Sequence, residues 1–212
     1  MEDIKDLNIL SETPVTYSAI ATNFKKYKSV KDKVASFSTN GNLLRIKKGL
    51  YIVSPKITKS PVSLELIANN LYGPSYVSLE TALSYYSLIP ERTYSIRSMS
   101  LKRAKTFSTP LGNFEYVKTP KLYFQIGIKQ IIKNNIAFLI ATPEKALCDI
   151  IFSSSMLRLQ SVKAVRQYLS ENLRMDLLDL NKFDISVVKE ILQTGIKKTE
   201  FSNLLRAIEY ER

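Results

Sequence analysis

Basic side chains that could bind phosphate are concentrated near the start of the chain. Residues 25–48 contain eight Lys and Arg but a single acid, Asp32. The net charge of the whole chain is +12, and residues 1–59 alone hold 11 Lys and Arg against 5 Asp and Glu. Dense positive charge neutralises phosphates and releases their counterions, so this segment predicts contact with nucleic acid. The basic residues are Lys25, Lys26, Lys28, Lys31, Lys33, Arg45, Lys47 and Lys48.

The composition excludes most catalytic chemistry. The chain has no His and one Cys, which excludes structural zinc sites and Ser-His or Cys-His nucleophiles. The six Gly lie too far apart for a phosphate-binding loop, and no acidic cluster suggests a magnesium site. We therefore predict a protein that is not an enzyme and that binds no cofactor or metal. Cys148 lies in an apolar run and is predicted to be a packed core thiol.

The segments around the basic residues predict a winged helix-turn-helix. Residues 2–11 have the pattern of a first helix, and Thr16 can cap a second helix that continues to about Tyr27. Ser29 can cap a third helix that continues to Thr39. Residues 43–53 then alternate as two short strands around a Gly, which is typical of a hairpin and would form the wing.

This arrangement assigns a role to each candidate DNA-binding residue. The third helix would lie in the major groove, and the hairpin would contact the backbone beside it. Exposed side chains of the helix would read base edges, whereas lysines before the helix and on the hairpin would contact phosphates. The predicted base-reading residues are Lys31, Lys33, Ser36 and Ser38. The predicted phosphate contacts are Lys25, Lys26, Lys47 and Lys48, with Lys28 and Arg45 on the same basic surface.

The remaining residues predict a second domain of mixed structure. We place the boundary in residues 55–60, which gives a DNA-binding domain at 1–58 and an α/β domain at 59–212. A helix is expected to start at Ser60-Pro61, strands to dominate residues 94–141, one of them at 122–126, and helices to form the last 55 residues. The predicted fold class is α+β: a winged helix-turn-helix, then a mixed α/β domain with an antiparallel-rich sheet and C-terminal helices.

Four segments, in this order, resemble the AbiEi-type antitoxins, which are the transcriptional-regulator half of type IV abortive-infection toxin–antitoxin pairs. They are residues 45–51 (RIKKGLY), 76–91 (YVSLETALSYYSLIPE), 107–116 (FSTPLGNFEY) and 141–149 (ATPEKALCD). The resemblance covers roughly residues 15–152. Ser87 stands where the family pattern has a Gly, and the last 55 residues match no pattern of the family.

The resemblance implies a function for each half of the chain. It implies an N-terminal winged helix that represses its own operon by binding double-stranded operator DNA. It also implies a C-terminal domain that counteracts a nucleotidyltransferase toxin, without a stable complex in some members. By position, residues 29–39 would be the recognition helix, and Arg45, Lys47 and Lys48 would lie on the wing.

Other interpretations of these segments stay open. The winged helix could be a protein-interaction module without DNA binding, in which case the charge of Lys47 and Lys48 would not matter. Arg158, Lys163 and Arg166 could form a second basic face toward DNA or the toxin, or a solvated helix surface. Glu80 and Glu91 are more simply helix caps or surface acids than a catalytic pair.

The sequence also predicts a cytoplasmic protein. A membrane-spanning helix needs about 20 consecutive apolar residues, and the chain has no such run. Its N-terminus is acidic, whereas a signal peptide starts with positive charge. A single Cys cannot form an internal disulfide, which fits a reducing compartment.

Overall fold

The structure, a computed structural model, describes residues 7, 10, 13–91 and 93–212. The fold is mixed α/β, with one small antiparallel sheet, one larger mixed sheet and helices around them. The first predicted helix, at residues 2–11, lies outside the described residues except for Leu7 and Leu10. Both of these leucines are buried.

The N-terminal region combines two helices with three short strands. The elements are β1 (Val15–Thr16), α1 (Tyr17–Asn23), α2 (Val30–Thr39), β2 (Leu43–Lys47) and β3 (Leu50–Val53). The strands form an antiparallel sheet in the order β1-β3-β2. As predicted, the Thr16 hydroxyl caps α1 by accepting the Ala19 N–H at 3.2 Å. The helix ends four residues earlier than predicted.

The β2–β3 hairpin contributes to two separate hydrophobic clusters. One face joins the N-terminal cluster, and the other face joins the large cluster of the rest of the chain. Side chains alternate along a strand, so a short hairpin can supply both. The buried residues of the N-terminal cluster are Leu7, Leu10, Ile20, Phe24, Val34, Phe37, Leu43 and Val53. Those that the hairpin gives to the large cluster are Ile46, Leu50 and Ile52.

A six-stranded sheet organises the middle of the chain. Its order is β6-β7-β5-β4-β9-β8, with β4–β5, β6–β7 and β8–β9 antiparallel and with β4–β9 and β5–β7 parallel. The strands and helices of this region are α3 (Pro55–Thr58), α4 (Leu64–Leu71), β4 (Ser75–Val77), α5 (Leu79–Tyr85), β5 (Ser95–Ser100), β6 (Lys105–Thr109), β7 (Gly112–Lys118), α6 (Lys121–Phe124), β8 (Ile128–Lys133) and β9 (Ile136–Ala141).

Two sequence-based predictions for this region are wrong, and one strand was not predicted. The helix expected at Ser60-Pro61 begins at Leu64, because Ser63 supplies the cap by accepting the Leu66 N–H at 3.2 Å. The strand expected at 122–126 is instead the one-turn helix α6, which starts after a proline. Strand β8 was not predicted as a separate strand. Its lysines and exposed positions place it at an edge of the sheet.

Helices complete the chain, as predicted. They are α7 (Pro143–Ser153), α8 (Val162–Gln167), a π-helical turn (Tyr168–Asn172), a 3₁₀ helix (Leu177–Lys182), α9 (Ile185–Gln193) and α10 (Lys198–Tyr210). Thr142 caps α7 through the Lys145 N–H, and a proline occupies its first turn. Helix α7 lies between α5 and α9, so it is central to the large cluster. Within residues 13–91 and 93–212, the structure contains no helix with the length and apolar character that a bilayer crossing requires.

Candidate nucleic-acid interface

Helix α2 is fixed to the N-terminal cluster by one face and leaves its basic face exposed. The Ser29 hydroxyl caps the helix by accepting the Asp32 N–H at 3.3 Å, as predicted. Val34 and Phe37 are buried, whereas Lys31 is exposed. Val34 and Phe37, three residues apart, form the face that packs on the cluster, and Lys31 lies at the margin of this face and is open to solvent.

Most of the predicted DNA-binding residues are exposed. They come from the α1–α2 connection, from α2 and from the hairpin. All three parts pack on the N-terminal cluster. The exposed residues are Lys25, Lys26, Lys28, Lys31, Ser36, Arg45 and Lys48.

Two predicted base-reading residues of α2 are less exposed than expected. The Lys33 ammonium lies 4.8 Å from the Tyr27 ring centroid and 5.0 Å from that of Phe37. Lys33 is therefore half-buried, not exposed. The Ser38 hydroxyl is buried. The expectation that both are open to solvent is therefore wrong, because Lys33 lies against aromatic rings of its own cluster and the Ser38 hydroxyl is enclosed by the protein.

Hairpin geometry separates Lys47 from its neighbours Arg45 and Lys48. An irregularity in the pairing lies between Arg45 and Lys47, and Gly49 has a φ of +80°, which favours glycine. Lys47 is half-buried, and its ammonium donates to the Leu71 carbonyl at the end of α4. Burial lowers the pKa of Lys47, and the charges of two further lysines, Lys102 and Lys105, add to this effect. The expected exposed position of Lys47 on the wing is wrong, since its side chain points toward the second region.

The predicted second basic face is partly neutralised. Lys163 and Arg166 lie on α8 and line the same open cavity, so they share a face as their spacing predicts. However, the Arg166 guanidinium forms an ion pair with Glu211 and stacks on Tyr210, 4.5 Å from the ring centroid. Arg158 is exposed and lies outside that cavity. One of the three charges of this face is therefore already paired with an acid.

A buried charged cluster inside the large core was not predicted. Lys145 and Asp149, one turn apart on α7, are fully buried, and the Lys145 ammonium lies 3.2 Å from an Asp149 carboxylate oxygen. The Ser78 hydroxyl donates to the other oxygen of this carboxylate. The ammonium also donates to the Tyr123 carbonyl at 2.8 Å and lies over the Tyr123 ring. The signal for this cluster was a Lys and an Asp at i,i+4 spacing within an apolar run.

Burial shifts the pKa values of Lys145 and Asp149 in the directions that favour their neutral forms. It raises the pKa of Asp149 and lowers that of Lys145, although each of the two charges opposes the shift of the other. Burial also raises the pKa of the Cys148 thiol, which agrees with the predicted core thiol. No cavity described in the structure is lined by these residues. We interpret the cluster as a structural element of the core.

Acidic side chains elsewhere are engaged in ion pairs. Glu80 pairs with Arg97, and Glu91 pairs with Arg174. These contacts fit the structural interpretation of both acids better than a catalytic one. In the part of the chain that the structure describes, no group of three or more His, Cys, Asp or Glu side chains could hold a metal ion.

Comparison with known proteins adds no assignment to these observations. No protein-family model matches this chain, and no curated protein matches it significantly.

Proposed function

We propose that this chain is a DNA-binding antitoxin that represses its own operon and counteracts a nucleotidyltransferase toxin. One observation carries the DNA-binding part: the exposed basic residues of α2 and of the hairpin come together on a single small cluster. Residues 25–48, which contain these basic residues, include a single acid, Asp32. We further propose that the protein acts by binding and has no enzymatic activity.

The order of the N-terminal elements supports a winged helix-turn-helix. Two helices, α1 and α2, are followed directly by an antiparallel hairpin, and β1 joins that hairpin in a three-stranded sheet. In a winged helix-turn-helix, the second helix of the motif enters the major groove and the hairpin lies against the backbone. We therefore assign α2 as the recognition helix and the β2–β3 hairpin as the wing.

Exposure refines which residues would contact the duplex. Lys31 and Ser36 are exposed on α2 and would face base edges. Arg45 and Lys48 on the hairpin would contact phosphates, together with Lys25, Lys26 and Lys28 before α2. Lys33, Ser38 and Lys47 would act less directly, because their polar groups are turned toward the protein.

Resemblance to AbiEi-type antitoxins supports the antitoxin part of the proposal. The structure brings two of the resembling segments, 76–91 and 141–149, into direct contact. Ser78, between β4 and α5, donates a hydrogen bond to Asp149 of α7.

Gel-shift titration with the DNA upstream of its own coding sequence tests DNA binding. We expect steep salt dependence, with a log–log slope of about 0.9 per phosphate contacted. Arg45→Glu/Lys48→Glu should abolish binding, whereas Lys129→Glu/Lys133→Glu on the edge strand β8 should change it far less. Equal effects of the two variants, or binding that ignores salt, would contradict the proposal.

Two further results separate the alternatives. If the winged helix binds a protein and not DNA, Arg45→Glu/Lys48→Glu will leave protection against the toxin intact and no duplex will shift. Co-expression with a nucleotidyltransferase toxin encoded beside this gene tests the antitoxin part directly. Growth must be restored by the intact chain for the proposal to stand.

A further inference from the structure

A second set of basic residues lies at the edge of the large sheet. Lys102 and Arg103 follow β5, and Lys105 is the first residue of the edge strand β6. All three side chains are exposed. We call these three residues the edge patch.

Aromatic side chains hold the edge patch in place without neutralising it. The Lys102 ammonium lies 5.1 Å from the Tyr72 ring centroid, and the Lys105 ammonium lies 4.7 Å from that of Phe107. The Tyr72 hydroxyl donates to the Arg103 carbonyl at 3.2 Å. Cation–π contacts restrict long lysine side chains and keep their full positive charge. The ammonium groups are therefore positioned before any ligand binds.

Nearby carboxylates do not compensate this charge. Among the residues that the structure describes, no acid forms an ion pair with the edge patch. Glu115 on β7 pairs with Arg97 at 3.5 Å and lies opposite Thr106, next to Lys105 in sequence. Because side chains alternate across a sheet, Glu115 and Lys105 point to opposite faces. Clustered like charges destabilise a folded chain, so an anionic ligand would relieve a cost that the protein otherwise bears.

The edge patch continues the charge of the hairpin. Lys47 on β2 donates to the carbonyl of Leu71, the neighbour of Tyr72, and Lys102 and Lys105 lie close enough to lower the pKa of Lys47. Strand β2 also packs near β6. The edge patch therefore lies beside strand β2 of the hairpin, whose tip bears the exposed Lys48.

We propose that the edge patch is a second phosphate-contacting surface for the duplex bound by the N-terminal region. This inference rests on the proposed function. The ligand is the sugar–phosphate backbone of double-stranded DNA beside the segment that α2 would read, and it is bound without base recognition. DNA fits the patch better than an acidic protein surface because a duplex offers charge that continues along the hairpin. The DNA-binding surface would then extend beyond residues 1–58.

Salt-dependent binding of the full-length chain tests this inference. The probes are the duplex upstream of the coding sequence and a duplex of random sequence. In Lys102→Gln/Arg103→Gln/Lys105→Gln, glutamine removes the charge but keeps a flexible polar side chain, and the log–log slope should fall by about 2 to 3 on both probes. The control removes exposed lysines from β8, the strand at the opposite edge of the sheet: Lys129→Gln/Lys133→Gln. Its slope should stay close to that of the unmodified chain.

The outcomes separate this inference from the proposed function. If the intact chain shifts neither duplex, both fail. If the chain binds DNA through Arg45 and Lys48 but the edge-patch variant keeps its full slope, this inference alone is wrong. It is also wrong if the control loses as much slope as the edge-patch variant, or if the variant loses toxin neutralisation while its DNA binding is unchanged. Unaltered far-UV circular dichroism and melting temperature establish that each variant is folded.

Discussion

Replacement of Lys145 by methionine is the sharpest test of the buried charged cluster. Both members of the Lys145–Asp149 pair are fully buried, and the ammonium also serves the Tyr123 carbonyl. Methionine keeps an unbranched apolar chain but removes the cationic partner of Asp149, which is left with hydroxyl donors such as that of Ser78. Removal of one partner of a buried ion pair costs about 3–5 kcal/mol, so we expect Lys145→Met to lower the free energy of unfolding by that amount near neutral pH.

The size of this loss should depend on pH. Burial already holds the pKa of Asp149 above its ordinary value, and the charge of Lys145 is the main influence that opposes the shift. Without the lysine, the pKa of Asp149 in the folded state rises further above its pKa in the unfolded state. A raised carboxyl pKa favours the folded state while the group is protonated, and this advantage is lost as the pH rises through the folded pKa. Lys145→Met should therefore lose more stability at mildly alkaline than at mildly acidic pH.

Urea unfolding at the two pH values provides the measurement. Lys145→Met/Asp149→Leu removes both charges and should be more stable than Lys145→Met alone, because no unpaired charge is left in the core. Lys189→Met is the control, since its ammonium lies 3.9 Å from Glu209 in a half-exposed pair, and such pairs contribute about 0–1 kcal/mol. A loss below about 1 kcal/mol for Lys145→Met, or a double variant less stable than the single one, would refute the reasoning.

Three further predictions concern the local structure. Ser29→Ala should lower the free energy of unfolding by about 1 kcal/mol through loss of the α2 cap, and an unchanged urea midpoint would contradict this. Gly127→Ala should be strongly destabilising, because a Cβ there would lie 2.8 Å from side chains of α7 and α9. Gly195→Ala is the control and should cost less, because Gly195 has a similar positive φ but no atom near the position of the added Cβ. Equal urea midpoints for the two variants would refute the packing argument. Cys148 should resist thiol reagents in the folded chain and react after denaturation, since burial raises its pKa; rapid labelling of the native protein would show the opposite.

Local signals in the sequence were enough to predict the helix starts at Thr16 and Ser29. A cap is decided by a few neighbouring atoms, so a hydroxyl before an apolar-periodic segment predicts it well. The same rule explains the error at Ser60, because Ser63 offers an equivalent hydroxyl three residues later and is the one used. The helix pattern alone did not distinguish the two serines.

Contacts between distant segments could not be predicted in the same way. Residues 122–126 include two aromatic residues and one β-branched residue, which favours a strand, yet the chain forms a helical turn that buries Tyr123 against α7. Lys47 fits the alternating pattern of the predicted hairpin, which gave no sign that its side chain is half-buried. Its position depends on a hydrogen bond to the end of α4, 24 residues away. The burial of Lys145 with Asp149 likewise requires Ser78 from another element. Each of these depends on tertiary packing that periodicity does not record.

The two-sided hairpin has a consequence for how the molecule opens. Strands β2 and β3 supply Leu43 and Val53 to one cluster but Ile46 and Leu50 to the other. If either cluster unfolds, the hairpin therefore loses the packing of one of its two faces. The amide hydrogens of the hairpin should therefore be among the slowest in the chain to exchange with solvent. They should exchange together with those of β4 and α7, as one cooperative unit. A fragment ending near residue 58 would leave Ile46 and Leu50 facing water. A break of the chain at that point would therefore cut through a shared structural unit.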